Sequence, residues 1–252
     1  MLKSDCGLKT FLQVDEEKLP GFGKLLESWF DVHKRFSTGV APENSWEREY
    51  KERSQIGFLS NAAFLSGGIA LEEWGAKKKS GYGRFDLWLR LKPSSNERDY
   101  HIEAKLDPFD IRNPIEYFDL RVNDTMKSAL TDANRLGRND GKIVAATFLV
   151  LRLEDENTGM IDRKIQELLN RLEGRNRQMF GLDAIAAIWL GLDAFKLCRK
   201  KREESLKGWK ACEVGLMFLA SRIAEEKLET PAGTVQPTAT QNFPFSVANS
   251  LT

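Results

Sequence analysis

Alternating and continuous apolar positions predict five strands along the chain. Apolar and polar residues alternate strictly through Arg84–Leu91 and Asp99–Leu106, which is the period of a half-buried strand. These two segments are predicted to form a hairpin. Continuous apolar runs at Ile143–Leu153 and Ala184–Leu190 are typical of strands buried on both faces. A further strand is predicted at Ile69–Trp74.

Four helices are predicted between and before these strands. Ser45 has the character of an N-cap, and apolar residues recur at helical spacing behind it. The predicted helices cover Lys24–Phe36, Ser45 to about Leu65, Ile115–Leu136 and Asp162–Leu172. The segment Val214–Ala220 fits either a last strand or the start of a helix.

The order of these elements predicts an α/β fold with a mixed central sheet flanked by helices. The three strands of a meander come first, and helical crossovers lead to the later strands. The predicted divisions are a helical lead-in over residues 1–44, an α/β core over residues 45–229 and a tail over residues 230–252. The tail carries almost no charge and is rich in Thr, Pro, Asn and Ser.

The balance of charge excludes binding of nucleic acid through bulk positive charge. The 252 residues contain 38 Lys and Arg against 37 Asp and Glu, a formal net charge of +1. Any such binding must use a local patch. The segment Lys77–Gly83 is predicted to be a basic, glycine-rich turn, which would either grip phosphates or be a solvated loop.

The number and spacing of the cysteines, the number of histidines and the length of the apolar runs exclude several classes of protein. Three cysteines without C-x-x-C spacing argue against a zinc ribbon and against a disulfide framework, and they favour a cytoplasmic location. Two histidines are too few for a metal site built on several His ligands. No apolar run reaches the roughly 18 residues of a membrane-spanning helix, so no membrane association is expected.

Candidate chemistry lies on the polar face of the predicted hairpin. If paired residue numbers sum to 189, Leu87 faces Ile102 and all the apolar residues share one face. The other face then places Asp86 opposite Glu103, with Lys105 next along the same strand. Clustered carboxylates bind hard divalent cations, and a neighbouring ammonium stabilises charge on a phosphate oxygen. This pattern predicts a metal site with its own cation beside it.

The segments Arg84-Phe85-Asp86 and Tyr100-His101-Ile102-Glu103-Ala104-Lys105 resemble the PD-(D/E)xK nuclease superfamily, which has a restriction-endonuclease-like fold. The resemblance implies that Asp86, Glu103 and Lys105 are catalytic. It also implies that Asp86, Glu103 and the Ala104 carbonyl bind Mg²⁺ or Mn²⁺. Phe85 stands where the superfamily's name has Pro.

Superfamily members often add an acid from the preceding helix, and Glu49 or Glu52 would serve here. Both lie at helical spacing with Ile56 and Leu59, although a structural salt bridge also explains such acids.

The resemblance implies a metal-dependent nuclease that hydrolyses DNA, with RNA left open as a substrate and with a two-fold dimer favoured if both strands are cut. An acid two residues before Lys is weak evidence by itself, because it occurs six times in the chain. Only Glu103 lies in a strand-like alternation behind a strand that carries Asp. Two alternatives stay open: a solvated hairpin with a stray ion pair, and a non-catalytic module that binds protein or nucleic acid on the same fold.

Overall fold

The structure is a computed structural model that describes residues 7–39, 51–78, 81–91, 98–135, 141–153, 160–173, 181–191 and 212–223. Within these ranges lie seven strands and four helices. The strands are β1 (Leu8–Val14), β2 (Ile69–Lys78), β3 (Gly81–Leu91), β4 (Arg98–Asp110), β5 (Lys142–Leu153), β6 (Ala184–Leu190) and β7 (Cys212–Arg222). The helices are α1 (Phe22–Gly39), α2 (Glu52–Leu65), α3 (Ile115–Arg135) and α4 (Ile161–Leu172).

All seven strands form one mixed sheet in the order β1-β6-β7-β5-β4-β3-β2. The meander β2-β3-β4 is antiparallel, and α3 then carries the chain to β5, which pairs parallel with β4. The remaining neighbours are antiparallel. The predicted α/β class, with a mixed sheet flanked by helices, is therefore confirmed.

Two apolar layers sandwich the sheet, because the long central strands bury both of their faces. On one face α1 and α2 pack through residues such as Trp29 and Leu59 against Leu87 and Phe148. On the other face α3 and α4 pack on a cluster that includes Leu149. The continuous apolar run of β5 thus reflects burial on both sides, as its sequence predicts.

The lead-in predicted to be helical over residues 1–44 begins instead with an edge strand, Leu8–Val14, and the predicted helix Lys24–Phe36 follows as α1. The edge strand pairs antiparallel with β6, from Leu8 opposite Leu190 to Val14 opposite Ala184. Leu12 and Val14 pack on one core and Phe11 on the other. An edge strand that covers both layers lacks the strict alternation by which a half-buried strand is recognised. The predicted N-cap Ser45 and the tail 230–252 lie outside the described residues.

The structure decides one open alternative and corrects one prediction. The segment Val214–Ala220 belongs to a strand, β7, and its alternating residues pack on both cores. The predicted basic turn is mostly strand, since Lys77 pairs with Tyr82 and Lys78 with Gly81. None of the helices in the described ranges combines the length and apolar character needed to cross a bilayer.

Candidate active site

The strands β3 and β4 diverge at the position where the sequence predicts the site. Their pairing follows the predicted register, with Leu87 opposite Ile102, Trp88 opposite His101 and Leu89 opposite Tyr100. The Leu87–Ile102 pair is the last one, so the ladder stops before Asp86 could face Glu103. We call the gap in the pairing of β3 with β4 directly beyond this pair the cleft.

Phe85 departs from the predicted apolar face. Leu87 is buried in the core formed with α1 and α2, whereas Phe85 is buried with Ala133 of α3 and with Ile143. Its ring also lies 4.7 Å from the ring of His101. Phe85 and Leu87 thus pack on opposite sides of the sheet, so the period-two alternation breaks at Asp86. The break releases the Asp86 side chain from the regular pleat.

Two carboxylates occupy the edge of β4 that β3 has left. The backbone N–H of Ala104 donates a hydrogen bond to Asp86 Oδ2 at 2.7 Å. The N–H of Leu106, two residues on and so on the same edge, interacts with the Glu52 carboxylate. A continuous β3 would have supplied carbonyl oxygens there. Because buried N–H groups need acceptors, the Ala104 N–H of β4 holds Asp86 at the apex of the cleft, and Glu52 lies close to Asp86 there.

Helix α2 supplies Glu52 from its first turn. Ile56 and Leu59, four and seven residues further on, are buried against the sheet, and this fixes the helix face that carries Glu52. The structure therefore brings one of the two predicted helix acids to Asp86 and Lys105. The other, Glu49, lies outside the described residues.

Burial and neighbouring carboxylates both disfavour the ionised forms of the two acids at the cleft. Burial raises the pKa of Asp86, and the charges of Asp132 and Glu73 raise it further, against the opposing effects of the Ala104 N–H and of Lys105. Burial likewise raises the pKa of Glu52, and the charge of Asp86 adds to this effect. Both carboxylates are therefore destabilised when they are ionised without a further cation.

Glu103 and Lys105 extend from β4 beside β5, where they pair with Ala145 and Thr147. The Lys105 Nζ lies 2.9 Å from Asp132 Oδ2 and 3.6 Å from Glu103 Oε1. Burial lowers the pKa of Lys105, but the hydrogen bond and charge of Asp132, with the charges of Glu103 and Glu52, outweigh it, and the net pKa is raised. Lys105 is thus a fixed cation at neutral pH.

Asp132 is a site residue that the sequence did not assign. It lies on α3, beside the buried stripe that includes Ala129 and Ala133. Besides Lys105 it contacts Arg135, at 3.2 Å. The signal in the sequence is the position of Asp132, three residues after Ala129 and one before Ala133. At this position on the helix its side chain lies partly toward the sheet. Only the fold shows that Lys105 lies beneath it.

The donor set suits a hard divalent cation. Carboxylate and carbonyl oxygens are the ligands of Mg²⁺, which often uses only one or two protein carboxylates and keeps several waters. Asp86 and Glu52 supply two carboxylates whose ionised forms are stabilised by an added cation. Within the ranges that the structure describes, no three or more His, Cys, Asp or Glu side chains form a metal-binding group by themselves.

Removing the charge of Asp86, one of the two acids whose pKa is raised, should stabilise the metal-free protein. An acid whose pKa is raised by folding holds its proton in the folded state over a window that begins near pH 4, so stability falls as pH rises through that window. Asp86→Asn keeps an oxygen to accept the Ala104 N–H but cannot ionise. In EDTA we expect its melting temperature to exceed that of the wild type by a few degrees at pH 7.5, and to equal it near pH 3.5.

Thermal unfolding at the two pH values measures this difference. Asp124→Asn, an exposed position on α3, is the matched control and should leave the melting temperature unchanged at both. If Asp86→Asn were less stable than the wild type at pH 7.5, the ionised carboxylate of Asp86 would not destabilise the folded protein.

No protein-family profile, curated protein or solved structure matches this chain.

Proposed function

We propose that the protein is a metal-dependent nuclease that hydrolyses phosphodiester bonds of DNA in the cleft between β3 and β4. The observation that carries the proposal is the pair of acids, Asp86 and Glu52, that replaces β3 along the edge of β4, with the Lys105 cation beside them. A structural hairpin has no need to bring two half-buried carboxylates together, because their repulsion lowers stability.

The sequence resemblance supports the same reaction class. The order helix, three strands, helix, strand runs from α2 to β5, with Asp86 on the second strand and Glu103 and Lys105 on the third. This arrangement agrees with the placement of the acids and lysine that the resemblance to PD-(D/E)xK nucleases implies. RNA remains a second candidate substrate at the cleft itself.

Each residue has a defined part in the proposed reaction. Asp86 and Glu52 would hold a Mg²⁺ or Mn²⁺ ion, and the resemblance adds Glu103 and the Ala104 carbonyl as further ligands. A bound divalent ion supplies Lewis-acid activation of water and phosphate. Lys105 donates hydrogen bonds to a phosphate oxygen and stabilises the negative charge that develops there. Asp132 and Glu103 keep Lys105 protonated and limit its rotamers, since both carboxylates form ion pairs with its ammonium group.

Direct titration with Mn²⁺ or Mg²⁺ separates this proposal from a non-catalytic binding module on the same fold. We expect the wild type to bind a divalent ion, and Asp86→Asn and Glu103→Gln to bind it at least about tenfold more weakly, because each loses a charged ligand. Lys105→Met should retain the ion. If calorimetry detects no ion, or equal binding by wild type and Asp86→Asn, the binding module becomes the better interpretation.

A further inference from the structure

The hairpin of β2 and β3 continues well beyond the last pair between β3 and β4. Strand β3 pairs with β4 only over Leu87–Leu91, but it pairs with β2 as far as Gly81. The segments Glu73–Lys78 and Gly81–Asp86 thus form a two-stranded ribbon, which we call the arm. At about 3.3 Å per residue, the arm reaches roughly 20 Å from the apex of the cleft.

Basic residues dominate the part of the arm beyond the Trp74–Phe85 pair, whereas the two acids Glu73 and Asp86 lie at its base. Beyond Trp74 the described residues of the arm include Lys77, Lys78 and Arg84, and no acid. The chain as a whole is almost neutral, at +1, so this is a local basic element. Positive charge concentrated on a narrow ribbon attracts a polyanion rather than an apolar partner.

Two exposed arginines lie at the base of the arm beside the site, Arg84 of the arm itself and Arg53 of α2. Glu73 has φ of +50°, a left-handed backbone conformation that is rare for a residue with a side chain. Its carboxylate binds Arg84 at 2.8 Å and also Arg53 of α2, and these arginine side chains are 68% and 82% exposed. The charge of Glu73 also acts on Asp86, which places this cluster next to the cleft. Backbone strain of this kind persists where the surrounding contacts fix the residue.

We propose that the arm binds double-stranded DNA by lying in its major groove, while Arg53 and Arg84 contact phosphates next to the cleft. A two-stranded ribbon fits the roughly 12 Å width of the B-DNA major groove, whereas the major groove of A-form RNA is too deep and narrow. This inference rests on the proposed nuclease function for the position of the scissile phosphate, but binding by the arm does not require cleavage.

Fluorescence anisotropy with labelled 20-base-pair DNA in EDTA tests the arm without cleavage. The wild type is expected to bind this duplex more tightly than single-stranded DNA or duplex RNA of the same sequence. Lys77→Glu with Lys78→Glu should weaken binding of duplex DNA about tenfold or more, and the corresponding double alanine variant should reduce the salt slope of log K by about 2. Arg84→Ala provides a second, single-site variant.

The matched control reverses two exposed charges on helices away from the arm, Lys24→Glu on α1 with Arg163→Glu on α4. It changes the net charge equally and should bind duplex DNA within about twofold of the wild type. The inference is overturned if the arm and control variants lose equal affinity for duplex DNA, or if none of the arm variants loses affinity. It is also overturned if the wild type binds duplex RNA as tightly as duplex DNA.

Failure of the arm and failure of the nuclease give different results. Duplex binding that depends on the arm, in a protein that cleaves nothing, refutes the nuclease and leaves the arm in place. Metal-dependent cleavage of duplex DNA at an unchanged rate by the arm variant, at DNA concentrations below saturation, refutes the arm and leaves the nuclease in place.

Discussion

Replacing Asp86 with asparagine is expected to reduce the rate of metal-dependent DNA cleavage about a hundredfold or more while the fold is retained. The amide oxygen of asparagine still accepts the Ala104 N–H, so the apex of the cleft keeps its hydrogen bond. The charge that would hold the divalent ion is lost, and affinity for the ion falls with it. Initial rates over a range of Mg²⁺ concentrations measure the effect.

Two controls make the Asp86 result specific. Asp124→Asn on the exposed face of α3 removes the same charge and should cleave like the wild type. The double variant Asp86→Asn with Glu103→Gln is expected to lose less activity than the two single fold-losses in cleavage rate multiplied together. The effects of residues that act as one unit are not additive. Wild-type rates in Asp86→Asn would remove this residue from the mechanism.

Replacing Lys105 with methionine is expected to lower the maximal cleavage rate by about a hundredfold without loss of divalent-ion binding. The pKa of Lys105 is raised above 10.5, so the side chain acts as a cation and not as a general base near neutral pH. Methionine keeps much of the length and loses the charge. Lys105→Arg restores the charge in a different shape, and partial activity is expected of it.

Single-turnover rates and calorimetry together check the Lys105 prediction. Lys127→Met, at an exposed position on α3, is the matched control and should be unaffected. The wild-type rate should show no titration of Lys105 between about pH 6 and 9, since the folded protein keeps it protonated. If Lys105→Met lost the ion as well as the rate, the lysine would be supporting the metal ligands instead of the phosphate.

The regular part of the fold could be predicted because its signals are local. The register of β3 and β4 follows from alternation with period two, which a shift of one residue would destroy at every position. Long apolar runs predicted β5 and β6, because a strand that is covered on both faces is apolar at nearly every position. The edge strand β1 gave no such signal, and its pairing with β6 joins residues far apart in the sequence.

The site itself was only partly predictable, because its geometry depends on where a regular pattern stops. Alternation through Phe85 and Asp86 is unbroken in the sequence, yet Phe85 packs against Ala133 of α3 and the ladder ends. No local rule locates that end, which depends on a contact across almost fifty positions of the chain. The pairing of Asp132 with Lys105 has the same origin, since it needs α3 to lie over β4.

The most direct measurement of the central claim is cleavage of duplex DNA in water enriched in ¹⁸O, followed by mass spectrometry of the fragments. Hydrolysis at phosphorus transfers one oxygen atom from water to the terminal phosphate of each cleaved bond. The expected result is one ¹⁸O atom per new terminal phosphate, in a reaction that requires Mg²⁺ or Mn²⁺ and is lost in Asp86→Asn. Intact DNA under every metal condition, or cleavage that Asp86→Asn performs as well as the wild type, would contradict the assignment of a nuclease to this cleft.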